Sequence, residues 1–157
     1  MGRLGSLDSI PDSKKLIIFD FLGTTIESNT STDEIDSGKP RKGIEEVFKH
    51  YKNQDEKYVV IASDTNQEEV EPLLNGLGKL VDKIYYSNDV WFDEENWREI
   101  KNLQTICEEY KIPKEETIMI GDSVQDLDSA QYYGIEYILI PLSEVNPEFN
   151  FKSLIPK

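Results

Sequence analysis

The stretch LIIFDFLGTT, residues 16–25, places an aspartate directly after a run of four apolar residues. A continuous apolar run is typical of a strand that is buried on both faces of a parallel sheet. This strand would end at Asp20, with a glycine and two threonines following. Because ligands bind α/β sheets at the carboxyl ends of their strands, the stretch predicts a strand that delivers Asp20 to a functional site.

Strand-like apolar runs alternate with amphipathic segments along the rest of the chain. This alternation is typical of a three-layer α/β domain, in which helices cover both faces of a central parallel sheet. The last helix is predicted to end at Gly134, since glycine commonly follows a helix. The predicted strands are residues 16–20, 58–63, 83–87, 117–122 and 136–142. The predicted helices are residues 44–51, 70–80, 97–110 and 126–133, with Asp93 or Glu94 near the start of the third.

The 157 residues suit one domain of ordinary size. Residues 1–14 are polar and are interpreted as a flexible leader, and residues 15–157 as a single domain. Within that domain, residues 27–42 are rich in Ser, Thr, Asp and Gly and predict a loop.

The chain is strongly acidic, with a formal net charge of -14. Such a charge repels phosphate backbones and anionic lipid at long range, which disfavours a nucleic-acid substrate. The sequence KPRK at residues 39–42 is the tightest basic cluster, and it is predicted to lie in a solvated loop.

Single cysteine and histidine residues narrow the possible chemistry further. With Cys107 alone, the chain cannot form an internal disulfide, and Cys107 at a helical apolar position is interpreted as a buried thiol. His50 follows Phe48 beside lysines and is predicted to be exposed, which disfavours a His-based triad. No apolar stretch reaches the length of a membrane span, so a cytoplasmic protein without a membrane partner is expected.

Polar residues follow three of the predicted strands. The first ends at Asp20, the second at Ser63 and Asp64, and the fourth at Asp122, with Asp126 shortly after. If these strands are neighbours, their carboxylates converge and repel one another. A divalent cation that prefers oxygen ligands would relieve this repulsion, and Mg²⁺ is the expected one.

The ordered set of motifs resembles the haloacid dehalogenase superfamily. That family has an apolar strand ending in a nucleophilic Asp, followed two residues later by a second Asp and then by Gly-Thr, which IIFDFLGTT matches except at Leu22. VVIAS, ending at Ser63, matches its second motif. IMIGDSVQDLDSAQYYGI matches the last motif, which is the most specific of the set. The resemblance covers about residues 15–142 and implies a Rossmann-like fold.

The resemblance implies a phosphohydrolase in which Asp20 attacks phosphorus and forms an aspartyl-phosphate. The implied Mg²⁺ ligands are the side chains of Asp20 and Asp122 and the main-chain carbonyl of Leu22, with Asp126 binding directly or one shell further out. Ser63 would hold the phosphoryl oxygens together with a basic residue of the third motif. Arg98 and Lys101 both fall in that region, and Lys101 is preferred because it lies closer to the apolar face of the predicted helix.

Leu22 occupies the position at which the family's phosphatases carry the second Asp. That Asp protonates the leaving group and activates water, and leucine can do neither. Branches of the family that also lack this Asp carry cap or additional domains. Here the inserts after Asp20 and after Ser63 are too short for a cap domain. The sequence leaves open whether Asp64 or Glu27 replaces the missing acid.

Three interpretations follow from this pattern. The first is a slow or specialised phosphohydrolase without a cap, acting on a phosphorylated small molecule or a protein-borne phosphate. The second is a catalytically inactive relative that binds metal, phosphate or a protein partner. The third is a receiver-like phosphoacceptor domain, which is disfavoured because a receiver's phosphoacceptor ends its third strand and Asp20 ends the first. The substrate and the oligomeric state are not determined by the sequence.

Overall fold

The computed structural model describes residues 8–27, 39–74, 76–86, 91–93, 98–142, 145–146 and 148–156. The strands are β1 (Leu16–Phe19), β2 (Tyr58–Ala62), β3 (Lys83–Tyr85), β4 (Trp91–Asp93), β5 (Arg98–Lys101), β6 (Thr117–Gly121) and β7 (Glu136–Leu139). The α-helices are α1 (Ile44–Lys52), α2 (Gln67–Val70), α3 (Leu103–Tyr110) and α4 (Val124–Tyr133). Short 3-10 helices span Glu71–Leu73, Leu77–Leu80, Lys114–Glu116 and Phe151–Leu154.

Five parallel strands form one sheet in the order β3-β2-β1-β6-β7. β1 is its central strand, and Ile18 pairs in register with Val60 on β2 and with Met119 on β6. The predicted three-layer, Rossmann-like α/β architecture with a central parallel sheet is confirmed. β4 and β5 form a separate antiparallel pair that the sequence did not predict.

The sheet has a separate apolar core on each face, because successive side chains of a strand point to opposite sides. Ile17 and Phe19 belong to the core that includes Phe48 of α1. Leu16 and Ile18 belong to the core that includes Cys107 of α3. Cys107 is buried and His50 is exposed, so both predictions about these residues are confirmed.

The predicted helix over residues 97–110 is partly wrong. Backbone pairing places Arg98–Lys101 in strand β5, and Asp93 lies in β4. The helix α3 begins only at Leu103, because the side chain of Asn102 accepts a hydrogen bond from the Thr105 N–H at 3.2 Å and caps it. The side chains of residues 94–100 lie outside the described part of the chain.

The predicted helix over residues 70–80 is also interrupted. α2 ends at Val70, and 3-10 turns replace the rest of the helix. Pro72 cannot donate a backbone hydrogen bond, and Gly76 adopts a left-handed conformation with φ 86°. These two residues break a segment whose leucine spacing alone favours a continuous helix. By contrast, α4 ends at Gly134, with φ 72°, as predicted.

Part of the predicted leader packs against the domain. Residues 1–7 lie outside the described residues, but Ile10 is fully buried and its N–H donates to the Leu154 carbonyl at 2.8 Å. Lys14 is also buried, and its ammonium lies 2.5 Å from a carboxylate oxygen of Glu136. Residues 8–14 therefore join the C-terminal segment to the sheet.

The two longest inserts are short compared with a folded domain of about 50 residues or more. They are residues 20–43, between β1 and α1, and residues 86–102, between β3 and α3. As predicted, neither insert is long enough to form a cap domain. Among the described residues, the helices are all too short or too polar to cross a membrane.

Candidate active site

The polar ends of β1, β2 and β6 meet at one edge of the sheet. In the register of the strands, Phe19 faces Ile61 on β2 and Ile120 on β6, so the three strands end at the same level. The Asp20 N–H continues the ladder and donates to the Ile120 carbonyl at 3.0 Å. The residues that follow these strands therefore lie side by side.

Three carboxylates gather at this edge, contributed by Asp20, Asp122 and Asp126. One oxygen from each lies within 4.8 Å of the others. Asp20 is 6% exposed and Asp126 is 1% exposed, whereas Asp122 is half-buried. Burial, together with the charge of Asp126, raises the pKa of both Asp20 and Asp122 above the ordinary value. Buried carboxylates in such proximity have the oxygen donors and the excess negative charge that suit Mg²⁺.

Lys101 lies between two of these carboxylates. Its ammonium is 2.5 Å from Oδ1 of Asp20 and 2.9 Å from Oδ1 of Asp126, and the side chain is 1% exposed. Burial alone would lower the pKa of Lys101, but the charges of Asp126 and Asp20 outweigh it and raise that pKa. One ammonium facing three carboxylates leaves the cluster with excess negative charge. A further cation bound among the carboxylates would offset this charge.

Lys101 reaches this position from the end of β5 rather than from a helix. Its backbone N–H donates to the hydroxyl of Ser129 at 2.9 Å, which ties β5 to α4. The Ser129 hydroxyl in turn donates to the Gln125 carbonyl at 2.8 Å. Lys101 was preferred over Arg98 because of its position on a predicted helix, and that reason was wrong, since both residues lie in a strand. The Lys101 side chain nevertheless lies against Asp20. The side chain of Arg98 is outside the described residues.

Ser63 follows β2 at the same edge and is fully buried. Its hydroxyl accepts a hydrogen bond from the Thr65 N–H at 2.9 Å, and its own N–H donates to the Tyr85 carbonyl at 2.8 Å. The first contact leaves the hydroxyl hydrogen available to donate towards a ligand. Asp64 next to it is exposed, so this carboxylate faces solvent at the rim of the site.

The loop after Asp20 folds back on itself. The Phe21 carbonyl accepts hydrogen bonds from the N–H groups of Thr24, Thr25 and Ile26 at 2.8–3.2 Å. Gly23 has φ 82°, and a Cβ atom at this position would collide with the Asp122 carboxylate. Only glycine satisfies both the left-handed conformation and this close approach.

Two threonines hold this loop against the carboxylates. The Thr25 hydroxyl donates to the Asp20 carbonyl at 2.6 Å, and the Thr24 hydroxyl lies 3.5 Å from Oδ1 of Asp122. Leu22 is half-buried and packs against the apolar core of the α1 face. Its carbonyl as a metal ligand stays a prediction.

Arg41 is a residue of this region that the sequence did not identify. It is 2% exposed, which shows that the prediction of a solvated KPRK loop was wrong at this residue. Its guanidinium donates to the carbonyls of Gly23 at 2.7 Å, Pro141 at 2.8 Å and Asn146 at 3.2 Å. It also lies 5.3 Å from the ring centroid of Phe151. Burial lowers the pKa of Arg41, against the opposing charges of Asp122 and Glu27.

Tyr137 on β7 is a second residue that the sequence did not single out. It is buried, and its hydroxyl lies 3.0 Å from the carbonyls of both Gly121 and Ser123. The Ser123 hydroxyl donates to Oδ2 of Asp126 at 3.0 Å and accepts from the Asp126 N–H at 3.2 Å. Tyr137 and Ser123 therefore fix the turn that presents two of the three carboxylates.

The chain resembles known proteins in both sequence and fold. A family model described as "Haloacid dehalogenase-like hydrolase" matches residues 14–140. Among solved structures, the chain is similar to a HAD-superfamily hydrolase, subfamily IA, variant 1, from Geobacter sulfurreducens PCA. The TM-score is 0.63 and the identity 13%, over 83% of this chain and 90% of that chain.

Two further solved structures resemble the chain. One, described as a predicted phosphoglycolate phosphatase from Haemophilus somnus 129pt, has a TM-score of 0.60 and 12% identity, over 87% of this chain and 93% of that chain. The other, an uncharacterized protein from Listeria monocytogenes serotype 4b, has a TM-score of 0.58 and 22% identity, over 80% of this chain and 78% of that chain. No curated protein matches the chain.

Proposed function

Since the chain belongs to the haloacid dehalogenase-like hydrolase family, we propose that it is a Mg²⁺-dependent phosphohydrolase with Asp20 as its nucleophile. The observation that carries this proposal is the burial of Asp20 at the end of the central strand. There it faces the Lys101 ammonium at 2.5 Å and lies beside two further carboxylates. A carboxylate nucleophile splits a difficult displacement into two easier steps.

The residues at this edge fit a magnesium ion. Asp20 and Asp122 would hold it through their side chains, Leu22 through its carbonyl, and Asp126 directly or through a water. When bound, Mg²⁺ would offset the repulsion between these carboxylates and the phosphoryl oxygens. Burial and the charge of Asp126 raise the pKa values of Asp20 and Asp122, and a bound cation would act in the opposite direction.

The first step forms a bond between a carboxylate oxygen of Asp20 and phosphorus, while the bond from phosphorus to the leaving-group oxygen breaks. Lys101 and the Ser63 hydroxyl would hold the non-bridging phosphoryl oxygens and stabilise the charge that develops on them. In the second step water attacks the phosphorus of the aspartyl-phosphate. This step releases inorganic phosphate and restores the Asp20 carboxylate.

Leu22 makes both steps slower than in a phosphatase with the second Asp. It cannot protonate the departing oxygen in the first step or take a proton from water in the second. General acid–base catalysis contributes about 10² to 10⁴-fold. Asp64 is exposed at the rim and is the first candidate for partial replacement, with Glu27 as the second. The substrate would be a phosphorylated small molecule or a protein-borne phosphate.

A second candidate function is a catalytically inactive domain that binds metal, phosphate or a protein partner. The observation that favours it is the same leucine, because Leu22 packs into the apolar core instead of presenting an acid. In that case the carboxylate cluster would bind Mg²⁺ and phosphate without turnover.

The test is hydrolysis of p-nitrophenyl phosphate with and without Mg²⁺. We expect slow turnover that stops when Mg²⁺ is chelated and that falls by at least about 10³-fold in Asp20→Asn. Asp128→Asn, an exposed acid on α4, is the matched control and should retain the wild-type rate. Equal turnover in wild type and Asp20→Asn would contradict the proposal. Binding of Mg²⁺ and phosphate without turnover would favour the inactive domain.

A further inference from the structure

A cavity of about 390 Å³ opens beside the proposed nucleophile. Its apolar wall is formed by Phe21 and Leu22 from the loop after β1, and by Pro72 and Leu73 from the turn after α2. Its size is within the range of small-molecule sites. A larger cavity, of about 520 Å³, lies between α3 and the Lys114–Glu116 turn, and its lining includes none of the three clustered carboxylates.

The 390 Å³ cavity is lined by residues that neighbour the candidate phosphate site. Two of its wall residues, Phe21 and Leu22, directly follow Asp20, and Thr65, which also lines it, donates its N–H to the Ser63 hydroxyl at 2.9 Å. Lys101 and Asp126, each 1% exposed, are joined to the Asp20 carboxylate through the Lys101 ammonium. The cavity therefore offers space for a leaving group on the Leu22 side of Asp20, whereas the Lys101 side is occupied by buried charged groups.

The chemistry of the cavity restricts the leaving group that it can accept. Its floor is apolar, and the exposed carboxylates of Glu68 and Glu69 lie on its rim. These acids repel a leaving group that carries its own negative charge. Leu22 supplies no proton, so an oxygen that departs readily as an anion is favoured over one that must be protonated first.

We propose that this cavity is the leaving-group subsite and that it selects phosphate compounds with an uncharged aromatic leaving group. The inference rests on the proposed phosphohydrolase function and specifies its substrate class. An aromatic ring buries a large apolar area in such a cavity, and its phenolic oxygen departs more easily than an alkoxide. Leu22 thus contributes a contact to the leaving group at the position where a proton donor is missing.

Binding of phosphonates tests the subsite without requiring turnover. In the presence of Mg²⁺, calorimetry should show that benzylphosphonate binds about 10-fold or more tightly than methylphosphonate, because its ring leaves water for an apolar wall. Adding a carboxylate to the ring, as in 4-carboxybenzylphosphonate, should remove most of that gain. The double variant Glu68→Gln, Glu69→Gln should restore part of the affinity for this charged ligand.

A substitution in the cavity wall tests whether the aromatic ring binds in this cavity. Leu73→Gln should narrow the ratio between the benzyl and methyl affinities to near one, and thermal melting should verify that this variant is folded. Glu71→Gln, on the same turn but outside the cavity lining, should retain the wild-type ratio.

The outcomes separate this inference from the proposed function. Equal affinities of benzylphosphonate and methylphosphonate for the wild-type protein would overturn the subsite and leave the phosphate site standing. A benzyl preference that survives in Leu73→Gln would overturn its location in this cavity. Failure of methylphosphonate, benzylphosphonate and inorganic phosphate alike to bind with Mg²⁺ would overturn the proposed function, and this inference with it.

Discussion

The two sides of Asp20 differ in chemistry. On one side lie Lys101, Asp122 and Asp126, which are charged, largely buried and joined by short polar contacts. On the other side lie Leu22 and Leu73, which are apolar, half-buried and border a cavity. The two sides meet at the end of β1, where Asp20 and Leu22 are separated in sequence only by Phe21.

This difference separates two parts of phosphoryl transfer that usually occur together. Stabilising the charge on the phosphoryl group requires cations and fixed dipoles, and the Lys101 side retains these groups. Moving protons to the leaving group and from water requires a titratable group, and Leu22 is not one. We therefore expect a site that binds and transfers phosphate but completes turnover slowly.

After the loss of Asp20 itself, the largest effect should come from removing the cation on the charged side. Lys101→Met leaves Asp20 and Asp126 without their ammonium partner, and turnover of p-nitrophenyl phosphate should fall by about 10² to 10³-fold. Lys79→Met, an exposed lysine far along the sequence from the site, is the matched control. If Lys101→Met turned over at the wild-type rate, the ion pair would be structural and the charged side would not be catalytic.

The metal affinity should change next most. Asp122→Asn keeps the shape of the side chain but removes one charged ligand, and Mg²⁺ affinity measured by calorimetry should fall by about 10 to 100-fold. Asp128→Asn removes an exposed acid from the same region and should bind Mg²⁺ as the wild type does. Unchanged affinity in Asp122→Asn would exclude a magnesium site between Asp20 and Asp122.

Introducing an acid on the apolar side of Asp20 should accelerate turnover. Leu22→Asp restores the missing acid, and turnover should rise by about 10-fold or more, which uses part of the range of acid–base catalysis. Leu22→Asn has nearly the same size without a titratable group and should not produce the rise. The opposite expectation also has a physical basis, because a carboxylate placed against this apolar wall would have a raised pKa. No rise in Leu22→Asp, with Mg²⁺ binding intact, would favour the inactive binding domain.

The smallest effect concerns stability without metal. Burial and the charge of Asp126 raise the pKa of Asp122 in the folded protein above 3.8, its value in the unfolded chain. The protonated carboxyl therefore stabilises the fold below pH 3.8, and this contribution is lost as the pH rises through the folded-state pKa. At neutral pH, Asp122→Asn should therefore melt higher than the wild type by about 2–4 °C in the absence of Mg²⁺. The difference should shrink as the pH is lowered towards 3.8. A lower melting temperature for the variant at neutral pH would show that the Asp122 charge is already compensated.

The sequence was sufficient for the parts of the fold that local pattern determines. Apolar runs that end in polar residues predicted β1, β2 and β6, and parallel strands necessarily bring their carboxyl ends to one edge. The meeting of Asp20, Asp122 and Asp126 followed from that argument on the condition that the strands are neighbours, and β1 does pair with β6. Local patterns were enough here because each carboxylate lies within a few residues of its strand.

The sequence was not sufficient where the structure depends on distant residues. Lys101 lies in a strand because β5 pairs with β4, and the Asn102 cap delays the helix that the apolar spacing favoured. Arg41 is buried because its partners, Pro141 and Asn146, come from a segment about 100 residues away along the chain. No property of the KPRK cluster itself indicates these partners.

The accumulation of an aspartyl-phosphate tests the central claim most directly. A nitrophenolate leaves without protonation, so the first step should remain fast, whereas water attack in the second step lacks a base. The wild-type protein mixed with Mg²⁺ and p-nitrophenyl phosphate, then quenched in acid, should carry phosphate on the peptide that contains Asp20. Leu22→Asp should carry much less, because it hydrolyses the intermediate faster. Turnover without any phosphate on Asp20, or with phosphate on another residue, would contradict the account.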